Sequence, residues 1–127
     1  MKEEKATGSK LLDSTILVDY FIEGKHKEII DSRGTILISA LSLFELKKKL
    51  LEKKVPKEAV ENIMKFVKQR MIHLVVNDAI VEYAAEISIN YEISAIDSII
   101  YATALLNSSS LYTLDNDFRG LKSVVLL

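Results

Sequence analysis

The chain contains no cysteine and only two histidines among its 127 residues. The lack of cysteine excludes disulfide bonds, a thiol nucleophile and zinc sites built from thiolates, and it is consistent with a reducing cytoplasm. The sequence also lacks a glycine-rich phosphate-binding loop, which excludes nucleotide hydrolysis of the P-loop type. No apolar run approaches the roughly 18 residues that span a bilayer, and no signal-type apolar core follows the charged start of the chain. We therefore expect a cytoplasmic protein with no membrane segment.

An excess of charge of one sign is also missing. The net charge is −1, from 17 basic and 18 acidic residues. A whole-molecule attraction to nucleic acid is therefore not expected, and any such binding must come from a local patch. The most basic region is 39–70, but its lysines are partly balanced by glutamates and also fit a solvated helix surface.

Length and composition predict a single globular domain. An apolar fraction of 49% and a charged fraction of 28% are typical of folded domains rather than of disordered chains. A chain of this length buries roughly two-thirds of its unfolded surface. We assign residues 1–10 to a flexible N-terminal extension and residues 11–127 to one domain.

Short apolar runs alternate with helical patterns along the domain. Predicted strands lie at 11–13, 35–38, 72–76, 111–114 and 124–127, and the main predicted helices at 14–24, 39–51, 56–67, 78–90 and 94–106. The strand runs are apolar throughout, which indicates burial on both faces and a parallel sheet. The predicted fold is an α/β three-layer sandwich, with a parallel sheet of about five strands flanked by helices.

Acidic residues stand at the ends of four apolar runs. They are Asp13, Glu45, Asp97 and Asp115, with Asp117 two residues further on. Ligands of open parallel sheets bind beyond the carboxyl ends of the strands, near the point where strand order reverses, so Asp13 and Asp115 are candidates for that crevice. Two carboxylates about 4 Å apart repel by on the order of 1 kcal/mol in water and ~4 kcal/mol near a protein surface. If the fold brings these acids together, a divalent cation is the simplest explanation.

Each acid also has a structural interpretation. Asp13 could cap the helix that follows it, and Asp115 and Asp117 could cap a short turn. The segments 42–45 and 94–97 both fit the capping box, in which a serine and an acid satisfy the first turn of a helix. Apolar neighbours at helical spacing place Asp97 on the core side, where an unpaired carboxylate is costly. The sequence leaves both interpretations open.

The segments around the acids, taken in order, resemble the PIN-domain nucleases, and most closely the small VapC-type ribonuclease toxins. They are LLDSTILV at 11–18, SLFEL at 42–46, SAIDSIIYATA at 94–104 and LYTLDNDFR at 111–119. Their order and spacing extend the resemblance over nearly the whole chain. The stretch 107–110 lacks the glycine usual in that family, and the N-terminal extension is longer than such toxins usually have.

The resemblance implies a divalent-metal-dependent endoribonuclease, the toxin of a toxin–antitoxin pair, that hydrolyses phosphodiester bonds in RNA. It implies a catalytic quartet of Asp13, Glu45, Asp97 and Asp115. Oxygen ligands without sulfur suit Mg²⁺ or Mn²⁺, for which the candidate ligands are Asp13, Asp97, Asp115 and Asp117. The supporting hydroxyl residues implied are Ser14 and Thr113. The implied partners are an RNA substrate, a cognate antitoxin protein and a second copy in a homodimer.

Other residues receive weaker assignments. Arg119 and Lys122 stand beside the last acids and are candidates to contact the substrate. Both histidines, His26 and His73, are predicted to be structural. The aromatic residues on helix faces, Phe44 among them, are expected in the core or a dimer interface before they serve as base-stacking surfaces.

Two alternatives to a nuclease remain from the sequence. The first is a non-catalytic, magnesium-binding α/β signalling module, such as a response-receiver-like domain, although the first strand offers one acid only and the lysine expected after the fifth strand is missing. The second is a catalytically silent PIN-like scaffold. A missing acid would have favoured the scaffold, and all the acids are present.

Overall fold

The computed structural model describes residues 8–127, so most of the predicted N-terminal extension lies outside the described residues. The strands are β1 (Ser9–Leu12), β2 (Ile36–Ser39), β3 (Ile72–Leu74), β4 (Ser109–Thr113) and β5 (Val124–Leu126). β1 begins at Ser9, and Lys10 pairs with β2 and β4. β1 therefore begins two residues before the predicted boundary at residue 11. The prediction relied on apolar runs and therefore missed these two residues, whose side chains are polar.

Six helices connect the strands of the described chain: α1 (Ser14–Val18), α2 (Lys27–Ile30), α3 (Ala40–Glu52), α4 (Lys57–Arg70), α5 (Asp78–Tyr91) and α6 (Ala95–Leu106). α1 continues into a π-helical turn, Asp19–Glu23, which ends at Gly24 in the left-handed region (φ 71°). A side-chain cap begins most of the longer helices, as Asn77 does for α5 by accepting from the backbone N–H of Ile80 at 3.0 Å. A short 3₁₀ turn, Asn116–Phe118, follows β4.

All neighbouring strands are parallel, in the order β3-β2-β1-β4-β5. The chain builds outward from β1 to β3 and then returns to place β4 on the other side of β1. The strand order therefore reverses between β1 and β4, which is where parallel sheets open a crevice for ligands. The predicted α/β sandwich with five parallel strands is confirmed.

Two apolar cores lie on opposite faces of the sheet. Leu12 and Ile38 belong to the core shared with α1, α3 and α4, whereas Leu11 and Leu37 belong to the core shared with α5 and α6. Successive side chains of a strand point to opposite faces, so a sheet covered on both sides favours apolar residues at consecutive positions of its strands. This preference explains the unbroken apolar runs of the sequence.

Two of the aromatic residues on helix faces, Phe44 and Phe66, are exposed rather than buried in the core. Tyr20 and Phe21 pack against the first core, with their rings 4.9 Å apart in an edge-to-face arrangement. The side chain of Phe44, on α3, is 63% exposed. Phe44 is therefore not a core residue, which leaves a dimer interface or base stacking among the predicted roles. Within residues 8–127, no helix has both the length and the apolar character needed to cross a membrane.

Candidate active site

The candidate site lies at the carboxyl ends of β1 and β4. Asp13 directly follows β1, and its backbone N–H donates to the carbonyl of Tyr112 in β4 at 3.0 Å. Asp115 follows β4 by two residues. The two strands are parallel neighbours, so the residues that follow them emerge side by side at the point where strand order reverses.

Asp13 is 4% exposed and uses both carboxylate oxygens. Oδ1 accepts from the backbone N–H of Ser14 at 2.8 Å, which caps α1 as the structural interpretation predicted. Oδ2 accepts from the hydroxyls of Thr15 at 3.0 Å and Thr113 at 2.7 Å. Burial raises the pKa of Asp13, the three hydrogen bonds oppose this rise, and the charge of Asp115 adds to it. Asp13 is therefore both a helix cap and part of a polar network.

Thr15 extends this network and was missed as a site residue. Besides donating to Asp13, its hydroxyl accepts from the backbone N–H of Leu114 at 3.0 Å. The hydroxyl of Thr113 likewise accepts from the backbone N–H of Asp115 at 2.9 Å. The two threonines therefore hold the loop after β4 against the start of α1. The sequence analysis did not select Thr15, because no local pattern indicates a contact with a residue so far along the chain.

Glu45 reaches the site from α3. Its Oε1 accepts from the hydroxyl of Ser14 at 3.0 Å, and its side chain is half-buried. Burial raises the pKa of Glu45, with contributions from the charges of Asp13 and Asp115. The capping-box alternative for 42–45 is wrong, because Ser39 caps α3 by accepting from the backbone N–H of Leu41 at 3.1 Å. Helix α3 thus begins one turn earlier than a capping role for Glu45 requires.

Asp97 lies in the first turn of α6, where Ser94 is the helix cap. The hydroxyl of Ser94 accepts from the backbone N–H of Asp97 at 3.2 Å, as the capping interpretation of 94–97 predicted. The carboxyl group nevertheless faces the other acids. Burial first, and then repulsion from Asp115, raises the pKa of Asp97 to about 6. Capping and membership of the acidic site are therefore compatible at this position.

Three carboxylates form the tightest group. Asp97, Asp115 and Asp117 each offer an oxygen within 4.8 Å of the others. Asp115 also accepts from the backbone N–H of Asp117 at 2.9 Å, so it caps the 3₁₀ turn as well. Among residues 8–127, the ion pairs are His26–Asp19 and Lys49–Glu52, and neither includes one of these acids. The negative charge of the group is therefore not neutralised by a neighbouring side chain in the part of the chain that is described.

This donor set fits a hard divalent cation. Carboxylate oxygens are the ligands that Mg²⁺ and Mn²⁺ prefer, and a cation would relieve the repulsion that raises the pKa of Asp97. Of the four metal ligands that the sequence suggested, three belong to the group. Asp13 is not part of it, and the oxygens of Asp13 accept hydrogen bonds from three donors.

A cleft of about 640 Å³ runs beside the acids. Glu45 lines the cleft directly. Ser14, Ile96 and Leu114 also line it, and they are next in sequence to Asp13, Asp97 and Asp115. Lys48 and Lys49 also line it. The sequence had left the lysines of 39–70 open between a local nucleic-acid-binding patch and a solvated helix surface. Lysines on one helix look alike in sequence, and only the packing of α3 against α1 decides which of them face the cleft.

The two predicted substrate contacts lie outside this lining. Arg119 donates from Nη2 to the Oδ1 of Asn116 at 2.7 Å and is exposed. Lys122 is exposed, and its backbone carbonyl accepts from the hydroxyl of Tyr101 at 2.7 Å. The histidines also lie apart from the acids: Nε2 of His26 pairs with Asp19 at 3.1 Å, and His73 is in β3 at the edge of the sheet.

Fold and site together define a class of protein, a parallel α/β domain with an acidic centre where strand order reverses. The PIN domain matches residues 10–123, and the chain belongs to the PIN-domain family. The resemblance to that family is thereby confirmed, and the receiver-like alternative is wrong. No curated protein matches the sequence.

Solved structures share this fold over nearly their whole length. A toxin–antitoxin complex from Klebsiella pneumoniae is 23% identical, with a TM-score of 0.77 over 91% of this chain and 95% of that one. VapBC2 from Rickettsia felis, bound to a DNA fragment from its promoter, is 20% identical, with a TM-score of 0.76 over 94% and 97%. VapC20 from Mycobacterium tuberculosis, a toxin that cleaves the sarcin–ricin loop, is 14% identical, with a TM-score of 0.73 over 89% and 95%. At these identities the likeness establishes a common fold.

Proposed function

We propose that this protein is a divalent-metal-dependent endoribonuclease that hydrolyses phosphodiester bonds in RNA. The observation that carries the proposal is the group formed by Asp97, Asp115 and Asp117 at the reversal of strand order. No lysine, arginine or histidine side chain among residues 8–127 forms an ion pair with it. Membership of the PIN-domain family supports a nuclease, and VapC20, which has the same fold, is a toxin that cleaves the sarcin–ricin loop.

The proposed metal ligands are Asp97, Asp115 and Asp117, with Asp13 beside them as the fourth candidate. When bound, Mg²⁺ or Mn²⁺ would act as a Lewis acid on the phosphodiester and lower the pKa of a bound water. Asp13 also orients Ser14 through the capped start of α1. Ser14 and Thr113 act as supporting residues, because their hydroxyls hold Glu45 and Asp13 respectively.

Glu45 is the proposed general base. One carboxylate oxygen accepts from Ser14, which fixes the direction of the group. The second oxygen accepts no hydrogen bond from residues 8–127, so it is available to orient a water molecule and accept its proton. The raised pKa of Glu45 makes its carboxylate a stronger base than an ordinary exposed glutamate.

Substrate and partner assignments extend this proposal. Arg119 and Lys122 remain proposed contacts of the RNA backbone outside the cleft. We also propose that the protein is a VapC-type toxin that acts in the cytoplasm as a homodimer and is inhibited by a cognate antitoxin. Two structures of the same fold, from Klebsiella pneumoniae and Rickettsia felis, are toxin–antitoxin complexes, which supports an antitoxin partner.

The test is cleavage of a labelled structured RNA in Mg²⁺ or Mn²⁺, with an EDTA control. Asp97→Asn should abolish cleavage, because the substitution removes a charged ligand while keeping the shape of the side chain. Asp31→Asn is the matched control, since Asp31 is exposed and precedes β2 at the opposite end of the sheet. Cleavage that survives in EDTA or in Asp97→Asn would contradict the proposal. Metal binding without cleavage of any RNA would favour the silent scaffold.

A further inference from the structure

The lining of the cleft combines polar and apolar groups. Glu45, Ser14 and Thr15 contribute polar groups. Apolar side chains also line it, of which Phe44 and Ile96 are 63% and 40% exposed. Exposed apolar side chains that lie together beside a polar site are typical of a surface that binds a ligand or another macromolecule.

Phe44 and Lys48 occupy the same face of α3. Residues four apart on a helix are neighbours, so the side chains of Phe44 and Lys48 leave α3 one turn apart. Both line the cleft beside Glu45. An aromatic face, a cation and a group of acids are therefore presented together. A nucleotide has the matching parts: a flat base, a negative phosphate and a phosphodiester bond to be cut.

We propose that Phe44 stacks on an unpaired nucleobase next to the scissile bond, while Lys48 contacts the adjoining phosphate. This inference rests on the proposed ribonuclease function and adds a subsite to it. Stacking requires a base that has left its helix, so the subsite selects single-stranded or looped RNA over a duplex. It tolerates any of the four bases, because each has a π face.

A second groove offers another explanation for the exposure of Phe44, namely contact with a protein. Phe44 also borders an apolar groove of about 770 Å³ between α3 and α4, lined by Leu43, Leu51 and Met64 among others. Leu51 is 56% exposed and belongs to this groove but not to the cleft beside the acids. A protein bound in the groove would contact both Leu51 and Phe44, whereas RNA in the cleft would contact Phe44 but not Leu51. Leu51 is therefore the matched control.

The experiment measures binding of a fluorescent single-stranded RNA oligomer to the full chain carrying Asp97→Asn, which prevents cleavage. Adding Phe44→Ala should weaken binding about 5-fold to 150-fold, the range for losing one stacked base. Adding Phe44→Trp should retain affinity, and Phe44→Leu should behave like alanine, because leucine is apolar but has no π face. Lys48→Gln should reduce the slope of log K against log salt by about 1. Leu51→Ala should bind like the parent.

A second substrate isolates the base itself. An oligomer of the same length with abasic riboses should bind the parent less tightly, and this difference should disappear in Phe44→Ala. Equal RNA affinity of Phe44→Ala and the parent would overturn the proposed subsite. If Phe44→Ala and Leu51→Ala then both reduced self-association of the protein, the side chain of Phe44 would belong to an interface between copies of the chain. Wild-type cleavage of the same RNA would leave the ribonuclease proposal standing in that case. Absence of both cleavage and binding would overturn both proposals.

Discussion

The hydroxyl of Thr113, the last residue of β4, donates a 2.7 Å hydrogen bond to the carboxylate of Asp13, which lies 100 residues earlier in the chain. The same hydroxyl accepts from the backbone N–H of Asp115 at 2.9 Å. One side chain thus links the acid after β1 to the acid after β4. The two strands come together at the reversal of strand order, and Thr113 determines how the acids that follow them are directed.

Thr113→Val should destabilise the protein. Valine keeps the shape of the side chain but leaves the buried carboxylate of Asp13 and the N–H of Asp115 without this partner, at a cost of about 1–3 kcal/mol. Urea unfolding in metal-free buffer measures the change. Thr113→Ser keeps the hydroxyl and should lose much less of the free energy of unfolding. Equal stability of the valine variant and the wild type would show that the hydrogen bond contributes nothing.

Asp97→Asn should stabilise the metal-free protein at neutral pH. The pKa of Asp97 is about 6 in the folded chain, against an ordinary value of 3.8. A raised pKa means that the folded state holds the proton more tightly, so this contribution to stability is complete below 3.8 and is lost as pH rises through about 6. The variant should therefore exceed the wild type in free energy of unfolding at pH 7.5, and the difference should shrink towards pH 4.5.

Asp31→Asn provides the control for this pH dependence, since it removes an exposed carboxyl group outside the site. The same measurements on this variant show what removing one negative charge does by itself. A constant difference between Asp97→Asn and the wild type from pH 4.5 to 7.5 would contradict the raised pKa.

Mg²⁺ and Mn²⁺ should stabilise the folded wild type at pH 7.5. A ligand that binds only the folded state adds RT ln(1 + [L]/Kd), or about 2.7 kcal/mol at a hundred times Kd. Thermal unfolding across a metal titration measures this gain. Asp115→Asn should remove most of it, because Asp115 belongs to the three-carboxylate group and also faces Asp13 and Glu45. An undiminished metal response in Asp115→Asn would place the ion elsewhere.

Glu45→Gln should reduce kcat by about 10²- to 10⁴-fold, the usual contribution of a general base, with little change in KM. Glutamine can still accept the hydrogen bond from Ser14, so the fold should be retained. Single-turnover cleavage separates this effect from product release. The matched control is Glu61→Gln, an exposed position on α4. A fall in RNA affinity without a fall in kcat would instead make Glu45 a substrate-binding residue.

The sheet was predictable because two-sided burial leaves a local trace. Each strand between two helical layers must be apolar at nearly every position, as the run 36–38 is, and such runs can be read without knowing their partners. The start of β1 was harder to predict. Ser9 and Lys10 pair through backbone groups that any residue possesses, so their polar side chains gave no sign of a strand.

The candidate site was only partly predictable. The acids could be named from their positions after apolar runs, but local patterns could not separate two serine–acid segments that look the same. At 94–97 the serine does cap the helix, whereas at 42–45 the cap is Ser39. The roles of Thr15, Phe44 and Lys48 have no local signature, because each depends on what another element places opposite it.

The sequence by itself determined the strands, the parallel sheet and the short set of acids that could form a site. These properties follow from the polarity of consecutive residues, which decides whether a segment can be buried on one face, on both or on neither. Only the tertiary structure decided that Asp97, Asp115 and Asp117 share one group while hydroxyls surround Asp13. The physical reason is that electrostatic repulsion, hydrogen bonding and exposure depend on distances across the fold, which separation along the chain does not reveal.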